Sequence, residues 1–199
     1  ESPYFNQAEL MMKTIPYVAA ETCFALKGGT AINLFVRDMP RLSVDIDLAY
    51  LPVEKPRETA LKKISEALRR IAVALKRAIP GVKIQENQGH EQKRITKLIV
   101  AASQTRIKIE PNEVIRGSVF PSEEPELPQR AENMFERSVT ARLLSVPDLY
   151  GGKICAALDR QHPRDLFDVK LLLEQEGITD DIRKAFVVYL ASHDRPISE

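Results

Sequence analysis

The chain has 199 residues, of which 44% are hydrophobic and 29% are charged, and its formal net charge is +1. This composition predicts a folded globular protein and argues against extensive disorder. The small net charge gives no global field that would attract a nucleic acid, so binding to a polyanion would require a local basic patch. The apolar runs are too short for a membrane span, and the two cysteines lack the density of a secreted disulfide scaffold. We therefore expect a cytoplasmic protein that does not enter membranes.

A glycine turn between a strand and a helix is the first feature of interest. Residues 7–20 have helical periodicity, and residues 22–27 predict a short strand that ends at Gly28 and Gly29. The hydroxyl of Thr30 is a candidate cap for the helix that follows. Backbone N–H groups at such a turn can bind phosphate oxygens, although two glycines alone are weak evidence. The turn matches neither the Walker nor the Rossmann glycine pattern.

An alternating segment over residues 42–51 carries acidic residues on one face. Its apolar side chains point one way, whereas Ser43, Asp45 and Asp47 point the other way. The two aspartates would lie about 7 Å apart along a strand, because each residue adds roughly 3.3 Å. A divalent cation such as Mg²⁺ between them would remove their repulsion. The alternative is that both acids are merely solvated, since Asp-x-Asp is a common sequence.

A hairpin further along the chain supplies a third carboxylate. After a long helix over residues 57–79, two alternating runs over residues 94–102 and 106–110 predict antiparallel strands. The second run buries isoleucines and presents Glu110 on the other face. We expect an adjacent antiparallel strand to bring Glu110 to the aspartate pair, where three carboxylates can hold two metal ions about 3.5–4 Å apart. A surface glutamate at a strand end is the alternative.

The long helix also carries a basic stripe on the face opposite its apolar residues. Such a stripe either binds an RNA backbone or is simply the solvated side of the helix. It comprises Lys62, Lys63, Arg69, Arg70, Lys76 and Arg77.

The chain is expected to have two lobes. Three prolines and three glutamates between residues 119 and 130 indicate a connecting segment, so we assign residues 1–125 to one lobe and residues 126–199 to a second. The second lobe is predicted to be all helical, with a first helix that is capped by Ser145. The fold class is therefore α+β: a mixed, partly antiparallel sheet that is flanked by helices and followed by a helical lobe.

Three motifs in combination make the sequence resemble the AbiEii/AbiGii toxin family, which has the MenT toxins among its relatives. Members of this family are nucleotidyltransferases of bacterial toxin–antitoxin and abortive-infection systems. They are commonly longer than this chain, so we expect the helical lobe to be truncated. The matching motifs are Lys27-Gly28-Gly29-Thr30-Ala31, then Arg41-x-Ser43-x-Asp45-Ile46-Asp47-Leu48, then Lys153 with Arg160 and Pro163-Arg164-Asp165-Leu166-Phe167-Asp168.

The resemblance implies a DNA polymerase β-like nucleotidyltransferase lobe that uses a nucleoside triphosphate (NTP), Mg²⁺ or Mn²⁺, an RNA acceptor such as tRNA, and a cognate antitoxin. Asp165 is preferred to Asp168 as a catalytic or lysine-orienting acid, and the alternative is that both acids only stabilise the start of their helix. Together with Glu110 from the strand pattern, the expected site has a nucleotide-binding group of Gly28, Gly29, Thr30, Ser43 and Lys153 and a metal-binding group of Asp45, Asp47 and Glu110. The expected catalytic residues are Asp45, Asp47, Glu110, Lys153 and Asp165.

Two other functions remain open from the residues alone. One is a metal-dependent nuclease, although Lys108-Ile109-Glu110 reverses the Glu-x-Lys order of restriction-type sites. The other is a non-catalytic module that binds a partner protein. The presence of all three carboxylates argues against this second reading.

Overall fold

The computed structural model describes residues 3–89 and 94–192. The helices are α1 (Pro3–Ala19), α2 (Gly28–Thr30), α3 (Arg57–Ala78), α4 (Gln129–Phe135), α5 (Val146–Arg160), α6 (Pro163–Gln175) and α7 (Asp180–Ala191). A π-helical segment, Ala31–Val36, continues directly from α2. The strands are β1 (Phe24–Lys27), β2 (Ile46–Tyr50), β3 (Lys83–Gln88), β4 (Ile95–Ala102) and β5 (Thr105–Pro111).

The five strands form one mixed sheet in the order β1-β2-β5-β4-β3. Strand β2 runs parallel to β5, and the other neighbouring pairs are antiparallel. The predicted α+β class with a partly antiparallel sheet is therefore confirmed. The expectation that the strand of Glu110 runs antiparallel to the aspartate strand is wrong. The chain leaves β2 through α3 and returns through the hairpin of β4 and β5, which brings β5 back in the direction of β2.

One face of the sheet is the core, and the other carries the polar residues of interest. Ile46 and Leu48 of β2 are fully buried, as are Leu98 and Ile109 on the neighbouring strands. Helix α3 covers this face, and its Ser65 hydroxyl accepts a hydrogen bond from the Ile95 N–H at 2.9 Å. Because side chains alternate along each strand, the residues between these positions point to the opposite face.

Several local predictions differ from the structure. The aspartate strand is shorter than predicted, because Ser43 and Asp45 lie in an irregular segment before β2. Strand β3 and helix α4 were not predicted. Thr30 is not a cap, since the helix already begins at Gly28 and the Thr30 hydroxyl donates to the Asp45 carbonyl instead.

The second half of the chain is helical after α4, and it is hydrogen bonded to the sheet. The Ser145 hydroxyl accepts a hydrogen bond from the Asp148 N–H at 3.2 Å, which confirms the predicted cap of α5. Before this helix, the backbone of residues 142–144 bonds to both sides of Leu26 at the outer edge of β1. The division at residue 125 stays a prediction. Within the described ranges, no helix is long and apolar enough to cross a membrane.

Candidate active site

A cavity of about 650 Å³ lies between the polar face of the sheet and helix α5. This volume is within the range of sites that hold small organic ligands. Four of the residues predicted to form the site line it, namely Gly28, Asp47, Glu110 and Lys153. The other predicted site residues are not part of this lining. Asp165 is bound to Lys153, and Thr30, next to Gly29, is hydrogen bonded to Ser43 and to the Asp45 carbonyl.

The glycine turn is shaped by the aspartate segment that packs against it. Gly28 has a φ of +69°, and a Cβ atom at this position would lie 2.7 Å from Asp47 Oδ2. A Cβ atom at Gly29 would lie 2.8 Å from Ser43 Oγ and 2.9 Å from Arg41 Nη2. The two glycines thus allow the carboxylate and hydroxyl groups to approach the backbone of the turn. This packing requirement explains them independently of any phosphate binding.

Asp47 lies at the centre of the polar face of the sheet. In the strand register its Cα is paired with Lys27 on one side and with Glu110 on the other. Burial raises the pKa of the Asp47 carboxyl, and the negative charges of Asp45 and Glu110 raise it further, while Lys27 and Lys108 act in the opposite direction. The two other carboxylates are therefore close enough to oppose ionisation of Asp47.

Glu110 is already paired with two lysines. Its carboxylate lies 2.7 Å from Lys108 Nζ and 3.1 Å from Lys97 Nζ. Burial raises the pKa of Glu110, but the hydrogen bonds and charges of these lysines outweigh burial and lower it. Within residues 3–89 and 94–192, no three carboxylate, histidine or cysteine side chains have the spacing to hold one metal ion. The shared metal site of Asp45, Asp47 and Glu110 stays a prediction.

The aspartate pair by itself suits a divalent cation. In the part of the chain that the structure describes, the Asp47 carboxylate forms no hydrogen bond or ion pair, although the residue is half-buried. A hard cation would favour its ionised form and offset the repulsion from Asp45. Glu110 could join such a site only by giving up contacts with its lysines.

Lys153 is embedded in a network of ion pairs on the helical side of the cavity. Its ammonium lies 2.8 Å from Asp165 Oδ1 and 3.2 Å from Asp168 Oδ2, and all three residues are buried. Arg160 Nε lies 2.7 Å from the other oxygen of Asp165. Burial raises the pKa of Asp165, but the hydrogen bonds from Arg160 and Lys153 outweigh burial and lower it. Neither aspartate is therefore a solvated residue at the start of a helix.

Asp168 has a role that the sequence did not reveal. Its carboxylate accepts hydrogen bonds from Arg41 Nε at 2.9 Å and from Asn33 Nδ2 at 3.1 Å. Both donors lie next to the glycine turn in the first half of the chain. Asp168 thus joins the turn to the helix that carries Asp165. The presence of Arg41 and Asp168 in the sequence motifs was the available signal of this contact.

Lys27 is a second residue that sequence reasoning did not place in the site. It ends β1, immediately before the glycine turn, and lines the cavity. Burial lowers the pKa of its ammonium group, the positive charges of Lys153 and Arg160 lower it further, and Asp47 opposes this shift. Its position directly before Gly28-Gly29 was the available signal.

The predicted basic stripe lies away from the cavity. Helix α3 packs on the core face of the sheet, whereas Asp47 and Glu110 are on the opposite face. One arginine of the stripe, Arg70, is bound to Glu21 at 2.7 Å. An RNA bound along this helix would therefore lie on the far side of the sheet from the cavity.

A family model described as "Nucleotidyl transferase AbiEii toxin, Type IV TA system" matches residues 9–199. The chain belongs to the AbiEii nucleotidyltransferase toxin family. Among solved structures, the chain is similar to MenT4, a nucleotidyltransferase toxin from Mycobacterium tuberculosis, with a TM-score of 0.68 and 15% identity over 94% of this chain. It is also similar to JHP933 from Helicobacter pylori, with a TM-score of 0.53 and 19% identity over 98% of this chain and 83% of that protein.

At these identities the two solved structures show a shared fold. This chain spans 65% of the length of MenT4. No curated protein has significant sequence similarity to the chain. The family assignment confirms the resemblance that the three sequence motifs indicated.

Proposed function

We propose that this AbiEii family chain is a metal-dependent nucleotidyltransferase that moves a nucleoside monophosphate from an NTP to a hydroxyl group of RNA, with tRNA as the acceptor. In this proposal it is the toxin of a toxin–antitoxin pair, and a cognate antitoxin protein neutralises it. The observation that carries the proposal is the position of Asp47 between the glycine turn and Glu110, on a cavity whose opposite wall holds Lys153. The cavity has an acidic side for cations and a basic side for phosphates.

The residues on the acidic side would hold the metal. Asp45 and Asp47 would bind Mg²⁺ or Mn²⁺, with Glu110 as a further ligand once its lysines are displaced. A cation bound there would neutralise negative charge on the phosphates. Asp47 is suited to this role because it is half-buried, repelled by neighbouring carboxylates and without a hydrogen-bond donor in the described ranges.

The glycine turn and the basic side would bind the triphosphate. The backbone of Gly28 and Gly29 at the start of α2 can approach phosphate oxygens closely, and Thr30 with Ser43 holds this turn against the aspartate segment. Lys153 would contact phosphate, while Asp165 fixes the position of the lysine at 2.8 Å. The acceptor hydroxyl would attack the α-phosphorus, forming a new P–O bond as the bond to pyrophosphate breaks and the hydroxyl loses its proton.

The direct test is transfer of label from each α-³²P-labelled NTP to a bacterial tRNA pool in the presence of Mg²⁺ or Mn²⁺. We expect labelled RNA with the wild-type chain and loss of labelling with Asp45→Asn or Asp47→Asn, because each change removes a metal-binding charge but keeps the shape. Asp38→Asn is the matched control, since Asp38 is exposed and its ion pair with Arg130 is long, at 3.8 Å. No transfer with any of the four NTPs would contradict the proposal.

The same assay separates the alternatives. A metal-dependent nuclease would release shortened RNA without any NTP. The structural observation in favour of a nuclease is that Lys97 and Lys108 lie beside Glu110. A non-catalytic partner-binding module would leave the RNA unchanged, and Asp47→Asn would then leave growth inhibition in bacteria as strong as with wild type.

A further inference from the structure

The cationic side chains that line the cavity differ in whether they form ion pairs with carboxylates. Lys153 has two partners, Asp165 and Asp168, at 2.8 and 3.2 Å. Lys97 is bound to Glu110 at 3.1 Å, and Arg160 is bound to Asp165 at 2.7 Å. These side chains are thus held by the protein itself.

Lys27 differs from these three residues. It lines the same cavity, yet it forms no hydrogen bond or ion pair with any residue in the described ranges. Asp47 is its register partner across the strands, but the two charged groups are not within the 4.0 Å of an ion pair. The side chain is half-buried, and Lys153 and Arg160 add positive charge around it.

An ammonium group in this position destabilises the empty protein. A partly desolvated charge without an ion-pair partner costs free energy. The charge of Asp47 offsets part of that cost, and the charges of Lys153 and Arg160 add to it. The usual compensation for such a group is a bound counter-ion. The group lies at the end of β1, where the next N–H groups belong to the glycine turn, so an anion there would meet both the ammonium and backbone donors.

We infer that Lys27 is a catalytic residue that contacts the triphosphate of the bound NTP, in addition to Lys153. This inference rests on the proposed function. A compact ammonium with three donors suits a phosphate chain. Two carboxylates hold Lys153 in position for phosphate, whereas Lys27 has no ion-pair partner in the described ranges and can turn its whole ammonium group to the substrate. Its position opposite Asp47 places the cation for phosphate beside the carboxylate proposed to hold metal.

The test compares Lys27→Met and Lys27→Arg with wild type in equilibrium binding at constant Mg²⁺. The probes are the NTP that wild type binds best and inorganic tripolyphosphate, which has the phosphates but no nucleoside. We expect Lys27→Met to weaken binding of both probes by a similar factor of at least about tenfold, the effect of losing one charge-assisted hydrogen bond. Lys27→Arg should retain part of the affinity. Lys83→Met is the matched control, because Lys83 is exposed on β3 and should leave binding unchanged.

Thermal unfolding of the same variants without ligand provides the second readout. If Lys27 has no partner in the empty protein, Lys27→Met should unfold at the wild-type temperature or above it. A variant that unfolds well below wild type would show a structural role and overturn the inference. Wild-type binding that Lys27→Met leaves unchanged would overturn the inference alone. Failure of wild type to bind either probe would overturn the proposed function with it.

Discussion

Two adjacent glycines in α5 should respond in opposite ways to replacement by alanine. A Cβ atom at Gly151 would lie 2.7 Å from Phe186 N and 2.9 Å from both the carbonyl carbon and the Cβ of Ala185. Among the residues that the structure describes, a Cβ atom at Gly152 would meet only the ring of Tyr189, at 3.9 Å, which is ordinary van der Waals contact. Helix α7 therefore rests directly on Gly151 but leaves room beside Gly152.

The magnitudes follow from two opposing effects. Alanine in a helix interior is more favourable than glycine by about 1 kcal/mol. Overpacking costs about 1–3 kcal/mol, and the cost at Gly151 should be at the upper end because backbone atoms of α7 cannot rotate away. We expect Gly151→Ala to lower the free energy of unfolding by about 2 kcal/mol and Gly152→Ala to raise it by about 0.5–1 kcal/mol.

Urea denaturation, followed by circular dichroism, measures both changes, and equal m-values would show that the unfolded states are comparable. The wild-type chain and the Gly152→Ala variant serve as the two references for Gly151→Ala. Equal stability of the two variants, or a more stable Gly151→Ala, would refute the reasoning that α5 and α7 are in backbone contact at this point.

Further predictions concern the buried acids and the thiols. Asp168→Ala should lower the free energy of unfolding by about 3–5 kcal/mol in urea denaturation, since it removes the buried carboxylate that Arg41 binds and one of the two carboxylates that hold Lys153. A loss below about 1 kcal/mol would contradict the network around Asp168. Because the pKa of Asp165 is lowered in the folded state, its stabilisation should be present above the ordinary value of 3.8 and be lost as the pH falls through the lower folded pKa. The excess stability of wild type over Asp165→Asn should therefore shrink between pH 5 and pH 3; an excess that grows on acidification would contradict this sign. Burial raises the pKa of the Cys23 and Cys155 thiols to about 11, so both should react slowly with a disulfide reagent at about pH 8 and rapidly after unfolding.

The parts of the fold that followed from sequence are those with a strong local pattern. The alternation around Ile46 and Ile109 predicted strands with the correct buried face, because the pattern of burial has a period of two. The cap at Ser145 was recognised because a single side chain determines it. The glycine turn was located correctly, although its packing against Asp47 and Ser43 was not foreseen.

The parts that were missed depend on contacts between distant residues. Strand β3 is mostly polar and is the edge strand of the sheet that the described residues form, so its sequence lacks an apolar pattern. The parallel pairing of β2 and β5 is a property of the chain path, which no local pattern encodes. Asp168 and Arg41, which form a hydrogen bond, are 127 positions apart. The ion pair between Glu110 and Lys97 depends on the register of two neighbouring strands.

The central claim is that the cavity beside Asp47 catalyses nucleotidyl transfer, and the intact mass of the acceptor RNA tests it most directly. After incubation of a tRNA pool with one NTP and Mg²⁺, the wild-type chain should add whole nucleotide residues to the RNA and release one pyrophosphate for each. Asp47→Asn should do neither, while Asp38→Asn should match wild type. RNA of unchanged or reduced mass with the wild-type chain, under each of the four NTPs, would contradict the claim.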